Sequence, residues 1–262
     1  MLPNRRVILG LHLLALPLIC CPTASVAKEN AGVNQFTAPP IADLLQKADA
    51  LQPIPFEKVW RDPPARTSTD RTRLALRAGS TIADGFLVIA CEKRARVEVV
   101  GRSLLRSAKA LGFGDQVSAR SRHIVDEAEK DHWTLARREL LGAQAQAETA
   151  LKTLHDEDLV QLVALGGWLR GLEITSGAIA DRYSAERSRL LVRPELATYF
   201  LEKIGGMNAK VRTSPLVQKL QRTLQVVRDL VDQEKGQAIS EAEVKRLMVL
   251  SRSANNLIDL EE

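Results

Sequence analysis

Leu-Ala-Leu-Arg-Ala-Gly-Ser-Thr-Ile-Ala-Asp-Gly-Phe-Leu-Val-Ile, residues 74–89, is the stretch that decides the fold. Leu74, Ile82, Phe86 and Ile89 fall on one face of a helix, and the segment is too long for an ordinary strand. Four residues able to cap a helix start, Thr67, Ser68, Thr69 and Asp70, stand in front of it. The pattern runs to about Arg96 and, as a continuation, through Val100 to Leu111. A second stretch of the same kind carries Leu162, Val163, Leu165, Leu169, Leu172 and Ile174. Both are apolar over more of their circumference than a surface helix, which predicts two central helices.

Working outward, Gly112-Phe-Gly-Asp115 predicts a stop and a fresh start. Helices are expected from Gln116 to Asp131, Trp133 to Leu154, and Leu159 to about Leu191. Pro194 suits the first turn of another helix, which ends at Gly205-Gly206. Ser214-Pro215 opens one that reaches about Glu234. Ser240-Glu-Ala-Glu243 is a capping-box sequence that starts the last. No strand pair with a hairpin turn is visible. Aromatics make up 4% of the 262 residues, which also argues against a β-sandwich or barrel. The expected fold is all-α, a multi-helix bundle of about eight helices.

The helical domain spans residues 69–262, with the option of two similar halves, 69–157 and 158–262. At an offset of 92, Gly79, Ile82, Gly85, Val100 and Leu104 meet Gly171, Ile174, Gly177, Val192 and Leu196. Such matching barely exceeds chance, so the duplication stays an alternative. Residues 28–68 are proline-rich and predict an extended strap, with one short helix over Ile41, Leu44, Leu45, Ala48 and Leu51. Phe56 and Trp60 are the aromatics that would pin the strap to the body. A disordered tail is the competing expectation.

Residues 1–27 read as a secretory signal peptide. Arg5 and Arg6 precede an apolar run from Val7 to about Cys21, and Thr23-Ala-Ser-Val-Ala27 supplies the small residues read at cleavage. The apolar run is short of the roughly 20 residues a spanning helix needs, which disfavours a retained anchor. No small residue precedes Cys20 or Cys21, which disfavours lipidation. Cleavage near Ala27 predicts a periplasmic or extracellular protein, not integral to the membrane. Its formal charge falls from +5 to +3, a balance that does not suggest nucleic acid as a partner. Three cysteines are too few for a disulfide framework, and only Cys91 lies beyond the leader. It has no Cys partner and no His nearby on its helix, so it is expected to be a buried structural thiol.

Four groups of residues could carry function. Gly79 with Ala83, and Gly167 with Gly171, place small residues four apart on a helix face, which predicts a close helix crossing. Glycine inside a helix costs about 1 kcal/mol against alanine, so some compensation is expected. His123, Glu127, Glu129 and His132 form the best metal candidate. Glu129 and His132 have the Glu-x-x-His spacing of di-iron bundles, but no second Glu-x-x-His exists, since Lys152 stands three before His155. Lys93, Arg94, Arg96, Arg102, Arg106 and Lys109 form a basic stretch suited to a protein or an anionic envelope component. No Gly-x-Ser-x-Gly, His-Glu-x-x-His or Cys-x-x-Cys occurs, so no catalytic residue is assigned and no cofactor is expected.

The leading expectation is an exported, non-enzymatic helical protein that binds or scaffolds another macromolecule at the cell envelope. The alternative is a bundle holding a metal ion or small ligand near His123–His132. An enzyme assembled from distant helices is the outlier.

Overall fold

The segment 74–89 lies within a helix from end to end. A computed structural model describes residues 50–233 and 237–260; residues 1–27, expected to be a leader, residues 28–49 with most of the expected first helix, residues 234–236 and residues 261–262 lie outside them. The described residues are helical almost throughout and include no strand. Eight helices have 13 residues or more. In chain order, α1 is the short turn Phe56–Val59, followed by α2 (Arg71–Ala90), α3 (Arg94–Leu111), α4 (Gly114–Glu129) and α5 (Trp133–Thr153). Then come α6 (Glu157–Asp181), the short α7 (Ala185–Ser188), α8 (Pro194–Gly206), the short α9 (Ala209–Arg212), α10 (Pro215–Val231) and α11 (Glu241–Asp259).

The helix starts follow local chemistry. Asp70 accepts from the Thr72 amide at 2.8 Å, capping α2. Ser240 and Glu243 form the expected capping box at α11. Pro194 and Pro215 occupy the first turns of α8 and α10.

The four connections from α2 to α6 share one device. The amides of Lys93, Phe113, His132 and Asp156 reach back to the carbonyls of Val88, Ala108, Glu127 and Leu151, at 2.9, 2.9, 2.8 and 3.1 Å. This is the six-to-one bond of a Schellman ending. It requires the preceding residue to be left-handed, and Glu92 (φ 53), Gly112 (φ 93), Asp131 (φ 60) and His155 (φ 54) all are. Only one of the four is glycine. The helix expected to run on from Leu74 to Leu111 therefore breaks at Cys91-Glu92-Lys93, where no glycine marks the turn. The helix expected from Leu159 to Leu191 likewise ends at Asp181, and Ser184 caps the next turn through the Arg187 amide.

At the centre α2 packs on α6, and nearly every residue of both is buried. α3, α4 and α5 fold over one side of α2, and α11 lies along α6, with α8 and α10 beyond it. Apart from each other, their neighbours differ: α2 packs chiefly on its successor α3, whereas α6 packs chiefly on the last helix, α11. The strap residues 50–68 lie on this body. Leu51, Ile54, Phe56 and Val59 are buried, and Phe56 stacks on Trp60 with centroids 5.3 Å apart. No helix among the described residues is long and apolar enough to cross a membrane.

Candidate functional site: an arginine-lined cleft

The crossing of α2 and α6 is close enough to exclude side chains. A Cβ on Gly79 would stand 1.9 Å from the Val163 carbonyl oxygen and 2.7 Å from the Gly167 nitrogen. A Cβ on Gly166, a residue the small-residue spacing did not single out, would stand 2.0 Å from the Leu76 carbonyl oxygen. Ala83, Gly167 and Gly171 are buried in the same pair of helices.

Along the same pair lies a buried charge network. Arg170, 1% exposed, donates from Nε to Asp84 at 2.7 Å and from Nη2 to the Val59 carbonyl at 2.6 Å. Its Nη1 stands 2.9 Å from Glu173. Glu173, equally buried, is held by Arg61 (3.2 Å), Arg252 (3.1 Å) and the Asn255 amide (3.0 Å). Arg61 also pairs with Asp259. Arg73 and Arg77 donate to the last carbonyls of α11: Arg73 to Leu257 (2.6 Å), Arg77 to Ile258 (3.1 Å) and Asp259 (2.7 Å). Cations suit a helix C-terminus, where the carbonyls lack amide partners.

This network splits the carboxyl groups. Burial pushes Asp84 up to about 6, against the pull of Arg170. Burial also acts to raise Glu173, but Arg170 and Arg61 hold it below the usual range. Burial raises Asp259 above its ordinary value even with Arg61 and Arg77 beside it. Isolated charges at such depth would cost several kcal/mol each, so their pairing is obligatory.

The network forms one wall of a small cleft, open to solvent, with room for a few water-sized groups. The strap from Arg61 to Thr67 makes a second wall, and Ser103, Arg106 and Ser107 of α3 a third. Asp62, Asp84 and Asp259 line it, each paired with an arginine: Arg96, Arg170 and Arg61 respectively. Arg66 and Arg106 line it too, and both are exposed. Neither has a carboxylate partner among the described residues; Arg106 only approaches the Pro64 carbonyl, at 3.5 Å.

The basic stretch is thus largely engaged within the molecule. Lys93 stands over Phe56 (5.1 Å) and Arg96 over Trp60 (5.3 Å), while Arg94 pairs with Asp131 and Arg102 with Glu98. Lys109 packs its stem against Gly114. Of the six expected partner-binding cations, Arg106 is the one that opens on the cleft.

The metal candidate does not assemble. α4 ends at Glu129, and His132 caps α5 across a turn, so the Glu-x-x-His spacing no longer lies on one helix. His132 Nδ1 meets Glu127 at 2.9 Å, while His123 points to solvent. Among the described residues no three His, Cys, Asp or Glu side chains converge. Cys91 caps the end of α2, half-buried rather than fully buried, and burial pushes its thiol up to about 11. A thiol held protonated at neutral pH is a poor nucleophile.

The cleft does not stand out in the sequence because its charges sit inside apolar runs. A signal was present: Arg73, Arg77, Thr81 and Asp84 share one face of α2, and Arg170 and Glu173 are three apart within an otherwise uncharged stretch of α6. No family model, curated protein or solved structure matches this chain.

Proposed function

We propose that this chain is an exported, non-enzymatic binding module that takes hold of an acidic segment of another macromolecule at the cell envelope. The observation that supports it most is the pair Arg66 and Arg106, which flank a concave polar cleft without carboxylate partners. A concave site favours a projecting acidic group over a flat surface. The surrounding charges are matched in pairs, so the two arginines set the sign of the mouth. The leader-like first 27 residues support export to the envelope.

The test uses residues 28–262 and a labelled oligoglutamate peptide, followed by fluorescence anisotropy at several salt concentrations. Binding should weaken as salt rises, because exposed charges are screened. It should fall markedly in Arg66→Ala/Arg106→Ala, with circular dichroism unchanged. Binding indifferent to both arginines sinks this reading. N-terminal sequencing of the protein from a secreting host should give Lys28; an intact Met1 removes the envelope from it.

A further inference from the structure

We infer that the cleft is a compact oxyanion site, which seats one carboxylate or phosphate group among Arg66, Arg106, Ser103 and Ser107. The inference rests on the binding role proposed above and adds the chemistry of the group that enters.

Ser103 and Ser107 lie one helical turn apart on α3, with Arg106 between them in sequence. Both serines are more than nine-tenths buried, at 6% and 7% exposure. Both line the cleft, and neither hydroxyl bonds to the rest of the protein among the described residues, so each is open to the cleft. Two adjacent hydroxyls open to one small space are free to donate to a group that enters it and displaces water. Of the other buried or half-buried hydroxyls at the cleft, Thr81 donates to the Arg77 carbonyl at 2.8 Å, and Ser80 reaches the Gly166 carbonyl at 3.3 Å; Thr67, also at the cleft, is exposed.

The acceptor that fits is anionic. Asp62, Asp84 and Asp259 are matched by Arg96, Arg170 and Arg61, and the buried Arg77 is held by backbone carbonyls, which leaves the exposed Arg66 and Arg106 to meet an incoming group. Guanidinium and hydroxyl donors together suit a planar carboxylate or a tetrahedral phosphate, with charge-assisted bonds stronger than neutral ones. The room, enough for a few water-sized groups, suits one such group. A carboxylate would come from an acidic side chain of the partner, and a phosphate from a phosphorylated residue or from free phosphate.

The test titrates residues 28–262 with inorganic phosphate and with acetate, at constant ionic strength, by isothermal calorimetry and amide NMR. Saturable binding is expected, with the largest shifts on α3 and the strap. Arg106→Gln should weaken it roughly tenfold or more, the loss expected for one hydrogen bond to a charged group. Ser103→Ala/Ser107→Ala, which leaves the arginines in place, should weaken it as well. Inorganic phosphate should displace the labelled oligoglutamate peptide, and the stronger of acetate and phosphate identifies the source. Shifts that never saturate, or that persist undiminished in both variants, overturn the oxyanion site. If the peptide binds but neither anion competes, the oxyanion site falls and the binding module stands. If nothing binds, both fall.

Discussion

The α2–α6 pair is held together in two different ways along its length. Where Leu76 and Gly79 meet Val163, Gly166 and Gly167, backbone lies on backbone and no side chain fits between. Where Asp84 meets Arg170 and Glu173, full-length charged side chains are buried just as deeply. Dispersion between close-packed atoms holds the first contact, and matched charge holds the second. The glycines leave no room for a ligand. The charges need polar neighbours, and those neighbours are what line the cleft. In this protein the candidate site grows out of the expensive part of the core rather than out of its surface.

The largest expected effect breaks the charged contact. Arg170→Met removes the partner of Asp84 and the donor to Val59, and should cost about 3–5 kcal/mol in denaturant melts. Arg170→Met/Asp84→Leu should recover part of that loss, since Glu173 keeps Arg61 and Arg252. If the single change is harmless, the network contributes little to holding the helices together.

The glycine contact comes next. Gly79→Ala and Gly166→Ala each gain about 1 kcal/mol of helix propensity. Both place a methyl group within van der Waals radii of a backbone carbonyl, so a net loss of roughly 1–3 kcal/mol is expected from overpacking. A stabilised variant would show that the helices do not cross this closely. Gly205→Ala is the control: nothing stands within 4 Å of its Cβ, so a gain of up to about 1 kcal/mol is expected.

A third prediction separates the two contacts by pH. Asp84 has a folded-state pKa of about 6, above its unfolded value of 3.8, so the folded protein binds more protons between these limits. Stability from this group therefore falls as pH rises through that window. Relative to Asp84→Asn, the parent should be on the order of 1 kcal/mol more stable at pH 5 than at pH 7. Gly79→Ala should leave that pH dependence unchanged. A parent and an Asp84→Asn variant with parallel pH profiles would show that Asp84 titrates as an ordinary carboxylate.

The smallest effect concerns the turns. Glu92 is left-handed where glycine would be unstrained, so Glu92→Gly should stabilise by a few tenths to about 1 kcal/mol. A loss instead would point to a side-chain role for Glu92.

The same positions show how far the sequence could be read. Gly112, Ser240 and Pro194 announced their turns and caps, because each residue type has a strong local preference for such positions. Glu92 gave no such warning, since glutamate is a good helix former, yet it is left-handed where the Lys93 amide closes back on the Val88 carbonyl. Glu129 and His132 misled for the opposite reason. Their spacing implies a ligand pair only on a continuous helix, and the Asp131 turn breaks it.

By itself, then, the sequence determined the all-helical class, the central place of residues 74–89 and 162–174, and most helix starts. Those follow from periodicity and capping, which act over a few residues. Only the tertiary structure decided which charges are buried, which arginines are spent on internal partners, and that Ser103, Ser107, Arg66 and Arg106 face one space. Arg61 lies 112 residues from Glu173 and 198 from Asp259. Pairings at such distances are chosen by how helices pack, and no local pattern encodes them.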